Sequence, residues 1–269
     1  MGKILSTIIA FILSINTKTV VYKQKNIDEV EQHRVVLDNN IQESVVIDKS
    51  VAIKNSKISY SSSSSGWWAY PSDIKEVTRS GDDLLVLVNK EYRLPSSYVP
   101  SDLVSASLSG IRKGEGFLLR NILINDLREL VSAAAADGID LSIRSGYRSY
   151  STQISTYNHW LNVNGGSISA ADRISARPGH SQHQLGTAVD FSSAEIQDGL
   201  GGVFSSTKAS VWLANNAWRY GFIISFPSGY ESVTGYNYES WHYRYIGKTY
   251  AQEVHSSGTI LELYLRGKN

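Results

Sequence analysis

Apolar and polar positions are unevenly distributed along this chain. Ile4 to Ile15 is apolar apart from Ser and Thr, and a single lysine, Lys3, precedes it. That length suits the apolar stretch of a signal peptide and is short for a membrane span. Extending it to Tyr22 reaches spanning length but places Lys18 near one edge. Lys18, Lys23 and Lys25 follow the run, and no A-x-A-like cleavage site is visible. Residues 1–25 are therefore expected to form a signal peptide or membrane anchor, with residues 4–22 as the membrane-seeking part. Asn26 to Lys57 is charged and polar with isolated Val/Ile pairs, and Ser59 to Ser65 contains six serines and one tyrosine, the composition of a flexible linker. Residues 26–66 read as spacer and linker, and residues 67–269 as one folded domain.

Within that domain the periodicity changes several times. Leu84 to Val88 is continuously apolar and predicts a buried strand or an extended segment leading into the domain. Tyr92 to Pro100 carries two prolines and reads as irregular. Leu119, Ile122, Leu123, Leu127, Leu130 and Val131 recur at helical spacing, predicting a helix over 118–136 that Gly138 ends. Ile139 to Ile143 alternates as a strand and delivers 144–148 at its end. Further helices are predicted over 150–160, over 207–220 and from Tyr250, and further strands over 186–191, 222–226 and 241–246. No internal repeat or regular βαβ rhythm is present. The expected fold class is α+β, a small antiparallel sheet with helices packed on it.

Composition adds limits. The 269 residues contain 42% hydrophobic and 19% charged residues, which is globular, and the formal net charge of +1 gives no bulk attraction to nucleic acid. There is no cysteine, which removes disulfides, thiolate metal sites and a cysteine nucleophile. A monomer is expected.

The candidate chemistry lies in two stretches. Ser181-Gln182-His183-Gln184-Leu185-Gly186-Thr187-Ala188-Val189-Asp190 and Glu239-Ser240-Trp241-His242 together hold two imidazoles and two carboxylates in a chain with six histidines. Zn²⁺ accepts His nitrogen and carboxylate oxygen, and a catalytic site uses three such ligands with one position left for water. His183, Asp190 and His242 make such a set, with Glu239 left over as a base. Residues three apart in a strand point to opposite faces, so Glu239 must precede the strand of His242, on a turn or bulge. Two S-x-x-K matches, Ser72 to Lys75 and Ser205 to Lys208, lack the S-D-N and K-T-G partners of the serine peptidases and read as chance in a serine-rich chain.

S-x-H-x-x-G-x-A-x-D followed by E-x-W-H resembles the VanY-type D-alanyl-D-alanine carboxypeptidases, zinc peptidases of the cell wall that share a fold with hedgehog signalling domains. Leu84 to Val104 and Ser145 to Gln153 resemble the same family, so the likeness runs from about Tyr70 to Tyr245. It implies zinc held by His183, Asp190 and His242, with Glu239 as catalytic base. It also implies that Arg148 holds the C-terminal carboxylate of the substrate, the developing oxyanion, or both. Ser145, Gln153 and Ser181 would add hydrogen bonds to the peptide. The expected activity is release of the C-terminal residue of peptidoglycan stem peptides. The alternatives are an L,D-carboxypeptidase, an endopeptidase, or a zinc-stabilised wall-binding module without catalysis. The expected location is the cell envelope, membrane-anchored or secreted.

Overall fold

The computed structural model describes residues 66–269 and, before them, only Ser14–Ile15 paired antiparallel with Lys18–Thr19. Residues 1–60 and 61–269 group as two separate units. The expected anchor, spacer and linker otherwise lie outside the described residues. Among the described residues no helix is long and apolar enough to cross a membrane.

The second unit is built around a four-stranded sheet. In chain order its main elements are α1 (Ile124–Ala136), β1 (Leu141–Ser145), α2 (Tyr150–Val163), α3 (Ile168–Ile174), β2 (Ala188–Ser193), α4 (Lys208–Asn216), β3 (Phe222–Ile224), β4 (His242–Tyr245), α5 (Lys248–Ser257) and α6 (Leu261–Arg266), with shorter strands and turns between them. The strand order is β1-β2-β4-β3 and every pairing is antiparallel. The expected α+β class is what forms.

One face of the sheet is apolar. Leu141, Ile143, Val189, Phe191, Tyr243, Tyr245 and Phe222 pack against Ile124, Leu127, Leu130 and Ala134 of α1 and against Ala209, Trp212 and Leu213 of α4. Leu127 and Leu130 are fully buried there, and each contributes roughly 1.5–3 kcal/mol by leaving water. Thr207 caps α4 by accepting the Ser210 N–H, and Ser149 caps α2 by accepting that of Thr152. Because strand side chains alternate, the residues between these apolar positions face the other way. That face carries Ser145, Asp190 and His242.

Leu84 to Val88 joins no ladder, yet it alternates as an extended chain does. Leu85 and Leu87 enter a cluster with Ile246, Val254, Leu261 and Leu265, while Val86 and Val88 pack with Leu94 and Leu185. The helix expected over 118–136 starts later, at Ile124. Leu118–Arg120 instead pairs antiparallel with Leu103–Ser105, burying Leu119 and exposing Leu118. A tertiary pairing has overridden helical spacing for one turn. The helix over 207–220 ends at Asn216 and continues as a 3₁₀ turn to Tyr220.

Candidate metal centre

The site forms where three strands present one row. His242 lies opposite Asp190 in the β4–β2 ladder, and Asp190 lies opposite Ser145 in the β2–β1 ladder. An uninterrupted β1 would put Ser145 opposite Val189 and turn it to the core. The register shift between Ile143 and Ser145 leaves Arg144 over and turns Ser145 to the polar face.

His183 reaches the row from the 3₁₀ turn Gln182–Leu185, just before β2. The Ser181 hydroxyl caps that turn by accepting the His183 N–H, and Gly186 closes it at φ +67°. A Cβ on Gly186 would also press on Arg120 and Leu103, so both shape and conformation call for glycine. Gly146 is needed differently: a Cβ there would lie 2.6 Å from the Leu118 carbonyl oxygen.

One donor atom each of His183, Asp190 and His242 lies within 4.8 Å of the others, and all three residues are buried. His183 Nε2 is 3.3 Å from Asp190 Oδ2, and His242 Nδ1 is 2.8 Å from Asp190 Oδ1. The outward ring nitrogens define the tautomers. His183 Nδ1 lies 2.7 Å from the Gly146 carbonyl oxygen, which can only accept. His242 Nε2 lies 3.2 Å from Gln182 Oε1, which also accepts the Ser225 hydroxyl at 2.7 Å. Both rings can therefore donate outward, which would leave the inner nitrogens, His183 Nε2 and His242 Nδ1, free to bind a cation.

Burial pushes His183 down to about 4, so the ring is neutral near pH 7. Burial alone would raise the Asp190 carboxyl, but charge and hydrogen bonds from the His183 and His242 rings, when these donate inward, outweigh it and hold the group well below the usual carboxylate range. Two imidazole nitrogens and a carboxylate converging in a buried row form a donor set that suits a divalent cation. The outward bonds to Gly146 and Gln182 are the kind that orient metal-binding histidines.

Glu239 lies ahead of β4 in a turn in which the His242 N–H donates to the Glu239 carbonyl oxygen at 3.3 Å. This is the local arrangement that the three-residue spacing required. Its carboxylate comes within 3.8 Å of His242 Nδ1, with 15% of the side chain exposed. Burial, and secondarily the charge of Asp190, push this carboxyl well above its ordinary value, and Arg148 opposes them.

Arg148 is held from two sides, donating to Gln153 Oε1 at 2.9 Å and to Ser145 Oγ at 3.0 Å. Gln153 is buried and donates its own amide to the Ala176 carbonyl at 2.6 Å. Gln153, Ser145 and Ser181 are thus each engaged in positioning Arg148 or His183. Arg148, Gln153, Ser181 and Glu239 line one cleft with the three candidate ligands, and neither S-x-x-K stretch does. Gln182 and Ser225, which orient His242, were not singled out from sequence. Gln182 lies inside the first motif, but a glutamine's acceptor role has no sequence signature. The same holds for Phe226, packed 4.9 Å from the His242 ring.

Comparison with known proteins decides the family. Residues 116–248 match the model of the VanY family, described as D-alanyl-D-alanine carboxypeptidase. YodJ of Bacillus subtilis, provisionally named a carboxypeptidase, is 37% identical over 202 residues, covering 72% of this chain and 73% of YodJ. The chain belongs to the VanY family. Among solved structures, the LD-carboxypeptidase LdcB is 32% identical with a TM-score of 0.64, over 75% of this chain and 95% of LdcB. The D,D-pentapeptidase VanY, solved in complex with Zn(II), is 31% identical with a TM-score of 0.56, over 67% of this chain and 98% of that one. The His183, Asp190 and His242 row thus lies in a chain of the carboxypeptidase family that the two motifs resembled.

Proposed function

We propose that this VanY-family protein is a zinc-dependent carboxypeptidase that removes the C-terminal residue of peptidoglycan stem peptides, with the D-alanyl-D-alanine bond as first choice. The observation that carries this reading is the convergence of His183 Nε2, the Asp190 carboxylate and His242 Nδ1 beside an uncommitted carboxylate, Glu239. A zinc ion bound there supplies Lewis acidity and an acidified water. Every other role falls to side chains already in place. Asp190 and the two imidazoles would hold the ion, with Gly146 and Gln182 fixing the rings. Glu239 takes a proton from the attacking water and returns it to the leaving amine. Arg148, aimed by Ser145 and Gln153, holds a negatively charged oxygen of the peptide, either the C-terminal carboxylate or the oxyanion that develops at the scissile carbonyl. The protein would act outside the cytoplasm, with residues 1–25 as its export signal or anchor.

A second reading, L,D-carboxypeptidase action on tetrapeptide stems, is favoured by the similarity to LdcB. Incubating the zinc-loaded protein with tetra- and pentapeptide stems and weighing the products separates the two. Loss of one alanine from the pentapeptide, with the tetrapeptide intact, is the expected result. Shortening of the tetrapeptide alone supports the second reading, and no shortening of either contradicts both.

A further inference from the structure

His180 lines the same cleft as Glu239 and His242 but belongs to neither the ligand set nor the base. It is 5% exposed, and its orientation is fixed from behind. Nδ1 lies 2.7 Å from the Asn89 carbonyl oxygen, so Nδ1 carries the ring proton. Asn89 is itself immobilised: its amide donates to Glu262 at 2.6 Å, and its side-chain oxygen accepts the N–H groups of Glu91 and Tyr92 at 2.9 and 2.8 Å. The Tyr70 ring packs edge-on against the imidazole, with centroids 4.8 Å apart. With Nδ1 committed to donation, Nε2 is a bare acceptor, and it has no partner among the described residues. Burial, followed by the charges of Arg93, Arg177 and Lys90, pushes the imidazole down to about 4, so it remains neutral in the range where a peptidase works.

We propose that His180 is a substrate-binding residue whose Nε2 accepts a hydrogen bond from an amide N–H of the bound peptide. The chemistry selects this donor. The positive charges of Arg93 and Arg177 act on the ring, which opposes an ammonium group but not a neutral amide. The inference rests on the peptide-hydrolase reading above and adds to it a contact that selects for the amide backbone or an amidated side chain.

Two substitutions separate the two ends of the ring. His180→Asn keeps a side-chain N–H near the Nδ1 position for the Asn89 carbonyl and removes the acceptor at Nε2. His180→Gln carries an amide oxygen out to the Nε2 position. With a soluble stem peptide, His180→Asn should raise KM about two- to tenfold, the range for one neutral hydrogen bond, with the change falling on KM and not on kcat. His180→Gln should return KM toward the wild-type value. Stem peptides N-methylated at each non-scissile amide in turn identify the donor. One analogue should lose the same factor with the wild-type protein and nothing further with His180→Asn. Wild-type hydrolysis with an unchanged KM in His180→Asn, or N-methyl penalties identical in both proteins, overturns this inference and leaves the function reading intact. A wild-type protein that hydrolyses no stem peptide contradicts the function reading, and this inference with it.

Discussion

Replacing Glu239 by glutamine should lower kcat by about 10²–10⁴-fold, the usual contribution of a positioned general base, while bound zinc stays at the wild-type level. The geometry requires both halves of this result. Glu239 stands beside His242 at 3.8 Å, whereas Asp190 lies within 2.8–3.3 Å of both ring nitrogens, so the three candidate ligands converge without it. Glutamine keeps the shape and cannot take the proton. The metal-free protein should be no less stable, because burial beside Asp190 disfavours a charge at Glu239 and glutamine removes that charge. Metal analysis and steady-state kinetics on the same preparation check both halves. Wild-type turnover would remove Glu239 from the chemistry, and loss of zinc would make it a ligand.

His183→Ala should abolish hydrolysis and leave the protein unable to retain stoichiometric zinc. Loss of an outer-shell partner typically costs ~10–100-fold in metal affinity or activity, and removal of a direct ligand should cost more. The substitution also strands the Gly146 carbonyl oxygen, which now accepts from His183 Nδ1, at a cost of about 1–3 kcal/mol in stability. Circular dichroism should therefore show a folded protein with a somewhat lower Tm, and elemental analysis should show substoichiometric zinc. Full zinc in a folded His183→Ala protein would contradict the ligand assignment.

The parts of this site that could be read from sequence are those in which chemistry constrains spacing. Two histidines and two carboxylates at fixed intervals pointed to a metal set, and the strand period required Glu239 to sit on a turn before β4 once Glu239 and His242 are taken to address one metal. The sheet face was legible for a related reason: Asp190 sits between Val189 and Phe191, and alternation sends a carboxylate and its apolar neighbours to opposite sides. What was not legible depends on partners distant in the chain. Leu118 to Arg120 has helical spacing but is claimed by Leu103–Ser105. α3 and α6 run for only seven and six residues, too short for periodicity to declare them. The bulge at Arg144, the acceptor role of Gln182 and the outward-facing Nδ1 of His180 each depend on one hydrogen bond or register step that no single-chain pattern encodes.

In the proposed mechanism, hydrolysis depends on an ion held by the row of His183, Asp190 and His242. The most direct measurement is titration of metal-free wild-type protein with Zn²⁺ while following release of the C-terminal residue from a stem peptide. No hydrolysis should occur before addition, the rate should rise in proportion to added zinc, and it should reach a plateau at one equivalent per chain. Hydrolysis at the full rate by the metal-free protein, or a zinc-loaded protein that releases nothing, would contradict that mechanism.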